Sequence, residues 1–293
     1  MQLGVQLSRY DFHGGPARLG ATLERIARAS EEAGFAFLSV PDHLWQLPNM
    51  GGPVNDMLEA YTTLGFLAAK TERIGLLSVV SPVNFRAPGL LAKCVTSLDV
   101  LSGGRAWLGL GAGSASDEEE SRGMGVPCPP LKERYAALEE TVQICLRLWA
   151  GDERAFQGET YRLARPLNVP QSLSRPHPPI LIAGEGEQRT LRLVARYADA
   201  AGLRPTDALA HKLDVLRRHC EAEGRDYDRI KKTCNLTFDV GPDGARTKEL
   251  LDELRALEKL GMDIVFGREI AHIDRVTPLL AIGRDVIPEL SAA

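Results

Sequence analysis

Short apolar runs alternate with amphipathic helical stretches along nearly the whole chain, and this alternation constrains the fold more than any other feature. Eight runs have the length and composition of buried strands: Leu3–Leu7, Phe35–Val40, Ile74–Val80, Ala106–Leu110, Ile180–Ala183, Ala200–Leu203, Thr233–Val240 and Asp263–Gly267. They read as near-continuous apolar segments, as parallel strands covered on both faces do. The helices between them are marked by period and by stop signals. Leu19–Ala33 places Leu19, Leu23, Ile26, Ala27 and Ser30 on one face and stops at Gly34, Leu131–Ala150 stops at Gly151, and Thr247–Leu260 stops at Gly261. Eight strand–helix repeats within 293 residues predict a (β/α)8 TIM barrel of the α/β class rather than a doubly wound open sheet. The chain reads as one domain over residues 1–293. Two segments exceed the minimal barrel: Ser114–Pro130 after strand four, and Phe156–Gln171 after helix four, where Gly158-Glu159 between Phe156 and Tyr161 predicts a β-hairpin.

Composition excludes several function classes. Hydrophobic residues at 44% and charged residues at 25% are those of a globular chain, and a formal charge of −4 offers no basic excess to neutralise nucleic-acid phosphates. No apolar run is long enough to span a bilayer, and Met1–Val5 enters a strand pattern with no signal-like segment, so a cytoplasmic location is expected. Cys94, Cys128, Cys145, Cys220 and Cys234 are scattered and odd in number, which predicts free thiols.

In a barrel, chemistry sits where strands end and βα loops begin. Asp42-His43-Leu44-Trp45 ends strand two. Asp42 can accept from a ring N–H, and His43 can exchange a proton near neutral pH, although such a pair also serves as a plain turn cap. Gly109-Leu110-Gly111-Ala112-Gly113 closes strand four, where small residues let a flat ring approach the backbone. It resembles a dinucleotide fingerprint only superficially. The acidic run Asp117-Glu118-Glu119-Glu120, read as a solvated helix start, follows it, and no pyridine nucleotide is expected there. Ala183-Gly184-Glu185-Gly186-Glu187 closes strand five and runs into a helix expected over Gln188–Tyr197, which suits a phosphate, with the two glutamates opposing it. His211 and His219 lie eight residues apart on one helix and His177 stands between prolines, so no metal is assigned.

Several strings resemble the luciferase-like monooxygenase superfamily: Arg86-Ala87-Pro88 through Ala92-Lys93, Ser97–Arg105, Leu108–Gly113, Pro179–Glu187 and Leu193–Asp199. The similarity runs over nearly the whole chain. His211-Lys212 and the stretch from His219-Cys220 to Asn235 resemble the branch that uses the deazaflavin coenzyme F420. The resemblance implies a barrel, usually a homodimer, that binds F420, or FMN in the alternative, at the strand C-termini. It implies that Asp42 meets the polar edge of the ring, that Ser78, Val79 and Ser81 form a bulge with a cis Ser78–Val79 bond, that Ala112-Gly113 lie beside the ring, and that Ala183-Gly184-Glu185-Gly186 hold the phosphate. His43 and Trp45 become the candidate catalytic residues. Two departures separate the chain from the sugar-phosphate dehydrogenase members: Ser114 stands where they carry Glu, and Trp45 lies closer to His43 than their Trp does to its His. The expected activity is hydride transfer between F420 and a small organic substrate. The alternatives are a flavin monooxygenase served by a reductase partner, and a barrel that only stores flavin. The Trp45–Val54 loop and the Ser114–Pro130 insertion are expected to shape the substrate pocket.

Overall fold

A computed structural model describes residues 1–241 and 244–291. Eight parallel strands close into a barrel: β1 (Gln2–Gln6), β2 (Phe37–Val40), β3 (Gly75–Ser78), β4 (Ala106–Gly111), β5 (Ile180–Ala183), β6 (Ala200–Leu203), β7 (Lys231–Thr237) and β8 (Ile264–Arg268). β1 pairs with β8 through Gln2↔Ile264, and closure on the other side comes from Leu76↔Ala106 between β3 and β4. Among the described residues ten helices accompany the strands: α1 (Pro16–Glu32), α2 (Ala60–Ala68), α3 (Pro88–Ser102), α4 (Ala115–Met124), α5 (Leu131–Trp149), α6 (Thr190–Tyr197), α7 (Leu209–Glu223), α8 (Thr247–Lys259), α9 (Thr277–Asp285) and α10 (Ile287–Ser291). The expected hairpin is present as an antiparallel pair, Phe156↔Leu163 and Gln157↔Arg162. The Glu140 carboxylate on α5 accepts from the backbone N–H groups of Glu159, Thr160 and Tyr161 and so ties down its turn.

Two apolar layers hold the barrel. The larger lies between strands and helices, and includes Leu23 and Ile26 of α1, Leu64 and Leu67 of α2, and Leu138 and Val142 of α5, all buried. The smaller fills the barrel interior with Phe37, Leu77, Leu181, Ile264 and Phe266, against which Trp107 packs. The Phe37 ring meets Trp107 edge-on at 5.0 Å and Phe266 at 5.9 Å. Side chains alternate along a strand, so Gly109 and Gly111 share the inward face with Trp107, Ala183 with Leu181, and Gly202 with Ala200. Inward residues therefore shrink toward the strand C-termini. Large rings plug one end, and the other is left open for a site.

Gly109 shows how tight that taper is. A Cβ built there would lie 1.8 Å from the Ser78 carbonyl oxygen, a backbone atom with nowhere to go. Gly109→Ala is expected to destabilise the fold by about 1–3 kcal/mol, the usual range for overpacking. Denaturant unfolding of the unliganded protein measures this, and a shift below about 0.5 kcal/mol would contradict the close approach.

Candidate active site

The open end carries a cavity of about 340 Å³. Its walls are His43 and Leu47 after β2, Val80 and Pro82 after β3, Ala112, Gly113 and Asp117 after β4, Ala183 and Gly184 at the end of β5, and Tyr135 and Thr190 from α5 and α6. The apolar, small-residue part of this lining suits a flat ring, and His43, Asp117, Tyr135 and Thr190 supply its polar groups.

His43 is the best-positioned of the polar groups. Its Nδ1 lies 2.7 Å from Glu120 Oε1 and 3.7 Å from Asp117 Oδ1. The second Glu120 oxygen accepts from the Leu44 N–H at 2.9 Å, so both oxygens of this fully buried carboxylate are used. With Nδ1 committed, Nε2 is the ring nitrogen left to face a reacting group. Burial works against charge on His43, but the Glu120 hydrogen bond and the negative field of Glu120, Asp117 and Asp42 prevail and hold its pKa above the ordinary imidazole value. The Asp117 pKa is raised as well, because burial outweighs its hydrogen bonds at Ser114 and the nearby His43.

The acidic run thus differs from the expectation of a solvated helix start. Glu118 reaches outward to Arg134 at 3.0 Å, whereas Asp117 and Glu120 turn inward and are buried. The first turn of α4 explains this. Ser114 is its N-cap and Asp117 its N3 residue, joined in a capping box, and the three-residue step from Asp117 to Glu120 puts both on the face that meets His43. α4 therefore begins two residues beyond Gly113, closer than the sequence suggested. Acidic residues in that first turn make its N-terminus a poor phosphate site. His43, Asp117 and Glu120 also place their ligand atoms within 4.8 Å of one another. The Glu120 oxygens are already taken by His43 and Leu44, so the cluster is satisfied internally.

The other expected site residues divide. Ala112, Gly113, Ala183 and Gly184 line the cavity with His43. Asp42 does not: it is buried, and both its oxygens accept from the Arg86 guanidinium, with Nη2 to Oδ1 at 3.1 Å. Arg86 also pairs with Glu59 and lies 4.8 Å over the Tyr61 ring. Trp45 turns away from the cavity and packs on α4, where its ring occupies the space a Cβ on Gly123 would need. Glu185 and Gly186 stand beside the cavity rather than in its wall. Glu185 pairs with Arg204, and Glu187 with Lys212 and, at 3.1 Å, His211, so both carboxylates are neutralised at the turn. α6 itself starts at Thr190, two residues later than expected.

The bulge after β3 is displaced by one residue. The cis bond is Val79–Val80, not Ser78–Val79. The Val79 N–H still donates to the Val40 carbonyl at 2.8 Å, so strand pairing with β2 runs one residue further before the chain turns. Ser81 and Pro82 then rejoin the sheet opposite Leu110 and Gly111. Ser78 is buried below the bulge, Ser81 Oγ lies 3.1 Å from the Tyr61 hydroxyl, and Val80 rather than Val79 lines the cavity. Sequence reasoning passed over Asp117, Glu120, Arg86, Tyr135 and Thr190. For the two acids, the capping-box spacing from Ser114 to Asp117 was the available signal.

The comparisons with known proteins agree with this architecture. The family model described as luciferase-like monooxygenase matches residues 8–281. A protein of Nakamurella multipartita named F420-dependent glucose-6-phosphate dehydrogenase is 30% identical over 255 residues, covering 85% of this chain and 70% of its own. Among solved structures, the coenzyme F420 dependent tetrahydromethanopterin reductase of Methanopyrus kandleri superposes with a TM-score of 0.79 at 16% identity, over 98% of this chain and 99% of the other. An F420-dependent secondary alcohol dehydrogenase in complex with an F420-acetone adduct gives 0.81 at 15% identity, over 97% and 98%. A barrel with this mouth, and a family match over residues 8–281, identify the chain as a member of the luciferase-like monooxygenase family.

Proposed function

We propose that this protein is an F420-dependent oxidoreductase that transfers a hydride between the deazaflavin and a small organic substrate. The observation that carries the reading is the cavity, lined by small and apolar residues and by His43, whose ring is held by Glu120, in a chain 30% identical to a relative named as F420-dependent. The residues present fit such a ring. Val80, Ala112 and Ala183 offer flat contact, and Gly113 (φ 79°) and Gly184 (φ 137°) hold backbone shapes that keep side chains out of the way. When bound, the deazaflavin supplies hydride exchange at a carbon centre.

The chain's own residues do the rest. The turn after Gly184 receives the phosphate through the backbone N–H groups of Glu185 and Gly186, with the Glu185 and Glu187 carboxylates held by Arg204 and Lys212. His43 Nε2 holds the proton that accompanies hydride transfer, and Glu120 fixes the ring from the other nitrogen. Asp42 is held by Arg86 beside the His43 loop. The protein acts as a homodimer: Leu90 and Leu101, 56% and 76% exposed, stand eleven residues apart on one face of α3, where a second copy would cover them. A cytoplasmic location, and supply of reduced cofactor by a separate reductase, complete the reading. Among the described residues no helix is long and apolar enough to cross a membrane.

Titration with F420 and with FMN tests the cofactor assignment. Saturable binding of F420 with a shifted absorbance supports it, and FMN-dependent oxygen consumption without F420 binding would replace it with the monooxygenase. Gly184→Leu is expected to weaken F420 binding by well over tenfold. The backbone there is left-handed and a Cβ would already press on Thr190 at 3.1 Å. Unchanged affinity in a folded variant would move the phosphate elsewhere.

A further inference from the structure

A second cavity, of about 330 Å³, opens at the same end of the barrel between the loops that follow β1 and β8. It lies across the bulge from the first. Gln6, in its wall, donates from Nε2 to the Val79 carbonyl at 3.2 Å, while Val80 lines the first cavity. Gln46, three residues past His43, donates to the Ser8 carbonyl at 3.0 Å and ties the His43 loop to the same wall. His272, which sequence reasoning overlooked as a mouth residue, also lines it.

The charges in this wall are unbalanced. It holds one guanidinium, Arg9, against three carboxylates: Asp11, Glu269 and Asp274. Arg9 is already engaged in fork geometry, Nε to Asp11 Oδ1 at 3.1 Å and Nη2 to Oδ2 at 3.0 Å. Elsewhere around the mouth Arg86 pairs with Asp42 and Glu59, Arg134 with Glu118, Arg204 with Glu185, and Arg246 with Asp239, while Arg189 lies over the Tyr135 ring. Arg268 lies 3.7 Å from Glu269. A phosphate dianion entering here meets net negative charge, and a guanidinium that must first leave its own carboxylate.

We infer that this second cavity is the substrate subsite and that it takes a substrate without anionic groups and rejects phosphorylated ones, unlike what the names of the sugar-phosphate dehydrogenase relatives state for them. The inference rests on the proposed function for the position of the hydride partner, and on the cavity's own charges for its class. The Ser8 hydroxyl, the His272 ring and the Asp274 carboxylate are polar groups of this wall that can recognise such a substrate.

Inorganic phosphate is the direct probe. F420 binding is read first, by its fluorescence, so that failure of the cofactor reading is seen separately. Phosphate binding is then followed by calorimetry on the protein, F420-loaded where it loads, for wild type and for Asp11→Asn/Glu269→Gln. The double variant frees Arg9 and removes two negative charges, and it is expected to gain phosphate affinity by at least tenfold over wild type. The comparison between the two proteins is unaffected by any phosphate held at the Gly184 turn, which they share. A wild-type protein that binds phosphate in the loaded state and loses that binding on Arg9→Gln would overturn the inference. So would a higher kcat/KM for glucose 6-phosphate than for glucose. An unaltered affinity in the folded double variant would show that the wall charges do not set the selectivity, and would also overturn it.

Discussion

His43→Ala is expected to lower turnover by roughly 10²–10⁴ while leaving F420 affinity within a few-fold, the usual loss when a positioned acid–base group is removed. The separation follows from geometry. His43 is one wall residue among many that would contact a ring, but its Nε2 is the nitrogen left over after Glu120 has taken Nδ1. Glu120→Gln provides the finer test. An amide keeps a hydrogen bond at Nδ1 but removes the negative charge that raises the His43 pKa against the opposing effect of burial. The limb of the pH–rate profile that belongs to His43 should therefore move to lower pH in Glu120→Gln. The stability linkage has the same origin. His43 favours its charged form in the folded state, so its contribution is complete below the ordinary imidazole value of about 6.5 and disappears as pH rises through the higher folded value. Glu120→Gln should flatten that part of the stability–pH curve. A limb that stays in place, or a His43→Gln variant that keeps most activity, would show that the ring only packs over the cofactor.

The parts of the site that were legible in the sequence are those written in backbone chemistry. Strand ends, the glycines of β4 and the Gly184 turn depend on local residue type, and Trp107-x-Gly109-x-Gly111 carries the inward taper of the barrel in a single string. Positions that depend on what arrives from elsewhere were not legible. Asp42 was assigned to the ring edge because it stands at a strand end, yet Arg86, forty-four residues later, takes both its oxygens. The acidic run was read as solvated because four charges in a row usually are, but a helix sorts them by face, and the inward face of α4 happens to meet His43. The one-residue error at the bulge has the same character. Leu77–Pro82 can leave the sheet at either valine, and the pairing of Val79 with Val40 decides which.

Arg86→Ala is expected to destabilise the protein by about 3–5 kcal/mol, the range seen when one partner of a buried ion pair is removed. The cost comes less from the lost attraction than from what remains. Asp42 is 1% exposed and would be left buried with neither of its guanidinium bonds. Burial disfavours charge on Arg86 itself, yet Asp42 and Glu59 raise its pKa, so the cation is retained across the working range of pH. Glu59, 43% exposed and already capping α2 through the Tyr61 and Thr62 N–H groups, can turn to water and contributes little to the loss. Thermal or denaturant unfolding of Arg86→Ala measures the total, and Asp42→Asn/Arg86→Met separates its parts. If the penalty is an orphaned carboxylate, the double variant, which buries no charge, should recover most of the stability lost in Arg86→Ala. If Arg86 acts chiefly by packing on Tyr61 at 4.8 Å, Met should restore that contact alone, and the single variant Arg86→Met should be as stable as the double. Only the first outcome agrees with the ion pair, rather than the ring contact, being what Arg86 contributes.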